Sequence, residues 1–115
     1  MSANIKVSKV VKEKHRIKPL VITEQESPMP AMTYLSGFGK MTTTNGYVWY
    51  IEGPKENIIV DTGGKAETIS MLGYSAKDVQ SPENALGKLG LKCEDIDTVI
   101  LTHLMFDHCE YAGKF

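Results

Sequence analysis

Two short apolar runs without alternation constrain this chain more than any other feature. Ile58-Ile59-Val60 and Thr98-Val99-Ile100-Leu101 are rich in β-branched residues, which fit a pleated surface. Neither shows the polar–apolar alternation of a strand with one wet face. Both are expected as buried strands. Tyr47-Val48-Trp49-Tyr50-Ile51 precedes the first run, and the turn-forming segment Glu52-Gly53-Pro54-Lys55-Glu56-Asn57 lies between them, so a β-hairpin is expected there. Beyond Val60 the period changes. Residues 66–72 read as a helix stopped by Gly73. Ser81-Pro82-Glu83-Asn84 offers a serine N-cap, a proline at the first helical position and an acid in the first turn. Ala85, Leu86 and Leu89 then share a face before Gly90 ends the helix. Strands, then helices, then a further buried strand predict a mixed α/β layered domain.

Upstream, residues 5–11 and 17–23 carry β-branched runs and are expected as short strands. Glu26-Ser27-Pro28-Met29-Pro30 is expected as a loop, because two prolines remove two backbone donors. The chain of 115 residues has room for one ordinary domain or part of a larger one. Its net charge of −1 gives no electrostatic reason to expect nucleic acid or an anionic membrane as partner. The cluster Lys12, Lys14, His15, Arg16 and Lys18 is interrupted by Glu13 and reads as solvated surface. No apolar run approaches the ~20 residues of a membrane span, and Met1-Ser2-Ala3-Asn4 lacks the layout of a signal peptide. With Cys93 and Cys109 as its only two cysteines, the chain has no disulfide framework, and a reducing cytoplasm is the expected location.

The chemistry concentrates after the second apolar run, in Thr102-His103-Leu104-Met105-Phe106-Asp107-His108. Two of the three histidines fall within six residues, with an aspartate beside the second. Imidazole nitrogen and carboxylate oxygen suit zinc, iron or manganese, and the carboxyl end of a strand is where α/β sheets place functional loops. The competing reading is a histidine pair satisfied at the edge of the core.

These residues resemble the metallo-β-lactamase superfamily, and within it the N-acyl-homoserine-lactonase type. Ile58-Ile59-Val60-Asp61-Thr62-Gly63 is similar to its strand-ending aspartate–threonine–glycine motif. Leu89-Gly90-Leu91 and Asp95 through His103 are similar to the approach to its His-x-His-x-Asp-His loop. The resemblance implies the amino-terminal half of a four-layer αββα sandwich, occupying residues 1–115. It also implies hydrolysis of a small-molecule substrate, a lactone-like or other cyclic ester or amide carbonyl, by hydroxide held on one or two divalent metal ions. Zinc is the first choice, with iron or manganese as alternatives. His103 matches a ligand of the first metal, and Asp107 and His108 match ligands of the second. Asp107 could also orient the attacking water or move a proton, and Asp61 could orient a ligand from beneath. Gly63 and Gly64 would permit a tight backbone there.

Two departures shape the expectation. Met105 stands where the family has its second histidine. A thioether is a soft ligand that suits Cu(I) better than zinc, so Met105 reads as packing. The family's remaining ligands, two histidines and a bridging aspartate, have no counterpart, and His15 matches neither histidine. A second polypeptide carrying the carboxyl-terminal half is therefore expected to cover the open sheet and complete the site in trans. The rival readings are a non-catalytic structural or binding member of the fold and an inactive fragment. Cys109 reads as a small buried residue rather than a ligand. Tyr47 and Trp49 read as sheet packing at the pocket border. Tyr34, Phe38 and Met41, around Ser36-Gly37-Phe38-Gly39-Lys40, form a lid, a dimer contact or ordinary loop packing.

Overall fold

The computed structural model describes residues 14–115, so the strand expected at 5–11, and Lys12 and Glu13, lie outside the described residues. Strand β1 (Arg16–Pro28) leads through a one-turn helix α1 (Met29–Met32) to β2 (Met41–Glu52) and β3 (Asn57–Val60). Helix α2 (Ala66–Ser70), strand β4 (Ser75–Asp78), helix α3 (Pro82–Gly87), strand β5 (Thr98–Ile100) and helix α4 (Phe106–Cys109) follow. The strands form one five-stranded sheet in the order β4-β1-β2-β3-β5. All neighbours are antiparallel except β3 and β5, which run parallel and bring the ends of the two apolar runs side by side.

The expected hairpin is present, with Trp49 opposite Val60 and Ile51 opposite Ile58. Cross-strand register sorts the side chains into two faces, since residues directly opposite share a face. On one face Leu20, Val48, Tyr50, Ile59 and Val99 meet α3 and the segment after it, in a core with Ile22, Ala85, Leu86 and Cys93. The other face carries the rows Pro19–Trp49–Val60–Ile100 and Ile17–Ile51–Ile58–Thr98. There Ile17, Trp49 and Ile100 are 65%, 39% and 46% exposed. This face has no covering layer among the described residues, which is half of a sandwich.

Helix α3 forms for the reasons its sequence offers. The Ser81 hydroxyl accepts from the Asn84 amide at 3.1 Å, and Pro82 occupies the first turn where its missing N–H is no loss. Two expectations need correction, and one strand has no counterpart among them. Glu26–Pro28 belong to β1, not to a loop: Pro28 ends the strand opposite Met41, and Pro30 sits at the start of α1. Thr98–Ile100 is an edge strand with Ile100 half exposed, not a buried one, because among the described residues no strand pairs beyond it and no layer covers that face. Ser75–Asp78 is a strand that polar composition concealed. It pairs with β1 residues Thr23–Glu26 and carries the Lys77–Glu24 ion pair at 3.0 Å. No helix among the described residues is long and apolar enough to cross a membrane.

Candidate metal centre

The centre is built where β3 and β5 end together. The Asp61 amide donates to the Ile100 carbonyl at 2.7 Å, extending the parallel pairing by one bond. Asp61 then adopts φ +61°, a left-handed conformation that aspartate tolerates better than most residues. Its carboxylate is 5% exposed and turns under the segment that follows β5. The Thr102 amide donates to Asp61 Oδ1 at 2.8 Å, and the Thr102 hydroxyl lies 2.9 Å from each carboxylate oxygen. His108 Nδ1 lies 2.7 Å from Asp61 Oδ2. Burial would raise the Asp61 carboxyl, but the hydrogen bonds from His108 and from the Thr102 amide and hydroxyl outweigh it and hold the group below the ordinary carboxylate range.

Helix α4 is docked to the loop after β3 by backbone. The Thr62 amide donates to the His108 carbonyl at 2.8 Å, and Gly63 bridges Cys109. Gly64 leaves no room for a side chain: a Cβ there would sit 2.7 Å from Asp107 Cα and 3.1 Å from the Phe106 carbonyl oxygen. Glu110 ties the far side, accepting the Lys65 amide and the Thr68 hydroxyl at 2.7 Å each. That carboxylate supplies the start of α2 with an acceptor, which Lys65 as N-cap residue does not.

Three of the residues singled out by spacing come together. His103, Asp107 and His108 each offer a donor atom, and the three atoms lie within 4.8 Å of one another. The imidazole centroids are 4.0 Å apart, and His108 Nε2 is 3.4 Å from Asp107 Oδ2. Asp107 Oδ1 is buried with no hydrogen-bond partner, an expensive arrangement for a carboxylate unless a cation satisfies it. Two nitrogens and a carboxylate around one point, with an orphaned oxygen, fit a divalent cation. A spread of 4.8 Å accommodates one ion shared by all three or two neighbouring ions with His103 on one and Asp107 and His108 on the other.

Met105 is 55% exposed and N-caps α4 without a side-chain bond. It lines an apolar hollow of ≈ 180 Å³ with Met32, Ile69, Leu72, Tyr74 and Phe106, which shares Asp107 with the centre. A second hollow of ≈ 160 Å³, bordered by Tyr47, Trp49, Asp61, Asp107 and His108, lies on the other side. Each is smaller than the ~300 Å³ at the low end of ligand pockets. Cys109 is half buried, its thiol turned to the Leu104 carbonyl at 3.5 Å and absent from the donor group. Tyr34 and Phe38 are 92% and 69% exposed. Residue spacing singles out neither Thr102 nor Glu110 as part of the centre. The threonine abutting His103 was a visible signal, whereas Glu110 acts only through tertiary contacts.

The family model described as the metallo-beta-lactamase superfamily matches residues 41–114. No curated protein matches the sequence. Among solved structures, the chain is similar to a quorum-quenching N-acyl homoserine lactone lactonase, with TM-score 0.72 and 20% identity, covering 90% of this chain and 42% of that one. It is similar to an N-acyl homoserine lactone hydrolase with the product N-hexanoyl-L-homoserine bound at its catalytic metal centre, with TM-score 0.66 and 20% identity, covering 90% and 45%. A probable metal-dependent hydrolase from Staphylococcus aureus aligns with TM-score 0.60 and 20% identity over 84% and 40%. The chain thus spans less than half the length of these structures, and at such identities the likeness establishes the fold.

Proposed function

The chain belongs to the metallo-beta-lactamase superfamily, and from that membership we propose that it is a subunit of a metal-dependent hydrolase that opens a lactone-like or other cyclic ester or amide carbonyl. The observation that carries the proposal is the convergence of His103, Asp107 and His108 within 4.8 Å, with Asp107 Oδ1 buried and unpartnered. These three residues would hold the ion, zinc by first choice with iron or manganese as alternatives, and Asp61 would position His108. A divalent ion there supplies Lewis acidity toward a carbonyl oxygen and lowers the pKa of coordinated water. Asp107, at the junction of the two hollows, would orient the attacking water or carry a proton to the leaving oxygen of an ester or nitrogen of an amide. The apolar hollow beside it suits the hydrocarbon part of a substrate. The lactone class is carried over from the names of the structural relatives and accords with that hollow.

Completion by a second polypeptide is part of the proposal. It is supported by the open sheet face with Ile17, Trp49 and Ile100, and by two hollows each too small to enclose a substrate. On this reading residues 1–115 are one half of a domain. Native mass spectrometry with metal analysis, on protein purified without chelator, tests both parts. One or two zinc, iron or manganese ions, lost in His108→Ala, together with a second chain, are expected. A metal-free species without a partner would overturn the proposal. Met105 favours one second reading, a non-catalytic binding or structural subunit, because that position offers no nitrogen ligand. Metal retained at full stoichiometry in the completed assembly, without turnover of any cyclic ester or amide, would select it.

A further inference from the structure

We infer that Thr102 is a positioning residue which, with Asp61, locks both imidazoles of the centre into the tautomer with the proton on Nδ1 and the lone pair on Nε2. The consequence for metal rests on the proposed metal centre; the lock itself does not. Two branches leave the same buried carboxylate. The first is direct: His108 Nδ1 is 2.7 Å from Asp61 Oδ2. An ionised carboxylate only accepts, so the ring nitrogen must carry the hydrogen. The second runs through Thr102. Its hydroxyl has one hydrogen and lies 2.9 Å from both Asp61 oxygens and 2.9 Å from His103 Nδ1. The bond to the carboxylate is the charge-assisted and stronger one, so the hydrogen points to Asp61. The oxygen is left to accept, and His103 must donate from Nδ1.

Thr102 cannot drift from this position, because its own amide is bonded to Asp61 Oδ1 at 2.8 Å. A neutral imidazole carries its proton on one nitrogen only. When both rings are neutral, their Nε2 atoms are therefore the ones that carry the lone pairs, on rings whose centroids are 4.0 Å apart beside Asp107. One carboxylate sets the chemistry of two ligands, one of them at second hand, before any ion arrives.

Two-bond ¹H–¹⁵N spectra of the imidazoles, recorded on the metal-free chain in its native assembly above the histidine titration range, test the lock. Both His103 and His108 are expected to show the Nδ1–H pattern. Thr102→Val should release His103 into a mixture of tautomers and leave His108 unchanged, and Thr102→Ser should restore His103. By chelator competition, Thr102→Val should weaken zinc binding about 10–100-fold, with Thr102→Ser near wild type. A wild-type His103 protonated on Nε2 would overturn the inference, whether or not the valine variant folds. Nδ1–H on both rings in a chain that binds no zinc would uphold the lock while removing the metal reading.

Discussion

Adding one methyl group at Gly64 should damage the centre more than its size suggests. The new Cβ would lie 2.7 Å from Asp107 Cα and 3.1 Å from the Phe106 carbonyl oxygen. Ordinary carbon–carbon contact begins near ~3.5 Å, so relief needs a shift of roughly 1 Å. Both clashing atoms are backbone, and neither can rotate away. Glu110 and the Thr62–His108 hydrogen bond hold the two segments together from either side. Overpacking of this kind costs about 1–3 kcal/mol. The same shift would move Asp107 against His103 and His108, and a misplacement of about 1 Å is enough to lose on the order of 100-fold in function. Gly64→Ala should lower the urea midpoint accordingly and weaken zinc binding in chelator competition. Gly87→Ala is the control, since a Cβ at the end of α3 meets nothing within 4 Å and should be neutral or add about 0.4–1 kcal/mol. If Gly64→Ala matched wild type in both midpoint and zinc affinity, the close docking of the two segments would not matter to the centre, and the reasoning would fail.

Three further outcomes are expected. Met105→His places an imidazole at the start of α4 beside Asp107 and should tighten zinc binding roughly tenfold or more; unchanged affinity in chelator competition would show that position 105 does not face the donors. The Lys114–Glu83 hydrogen bond lowers Glu83 and raises Lys114. Its contribution should be present above the unfolded glutamate value of about 4.3 and below the unfolded lysine value of about 10.4. It should fade as pH falls through the folded Glu83 value or rises through the folded Lys114 value. With both side chains more than a third exposed, it should be worth only about 0.2–1 kcal/mol, and thermal melts of Glu83→Gln against wild type should converge in acid. Burial pushes the Cys93 thiol up, with Glu83 and Glu94 adding to it, so iodoacetamide should label half-buried Cys109 on the order of tenfold faster. Equal rates by peptide mapping would contradict the burial of Cys93.

The sequence made some parts of this molecule legible because their physics is local. The N-cap at Ser81, the hairpin around Gly53-Pro54 and the donor cluster at 103–108 are each specified by a few neighbouring residues. What was missed depends on residues far apart in the chain. Ser75–Asp78 has no strand pattern of its own and is recruited by the edge of β1. Pro28 and Pro30 looked like a loop because the sequence does not show that both fall where an N–H is dispensable. Ile100 reads as buried because apolar composition does not show that β5 lies at the edge of the sheet with one face open. Spacing marks the donors at 103–108, but not that Thr102 and His108 are held by the Asp61 carboxylate some 40 residues earlier.

That distance has a consequence for folding. The side chains of the donor group all belong to one short turn, but the contacts that orient them span 41 and 47 residues and arrive only after β3 and β5 have paired. Loop closure of that kind is slow and must precede any reward. A peptide spanning 102–108 would hold the same donors without their orientation. By linkage, an ion present at 100 times its dissociation constant would add about 2.7 kcal/mol to the folded state. That gain would act on β5, a three-residue parallel strand at the sheet edge and a natural first site of local opening. Hydrogen exchange of the Thr102 amide would then follow metal occupancy, and the ion would serve as the outer clasp of the sheet.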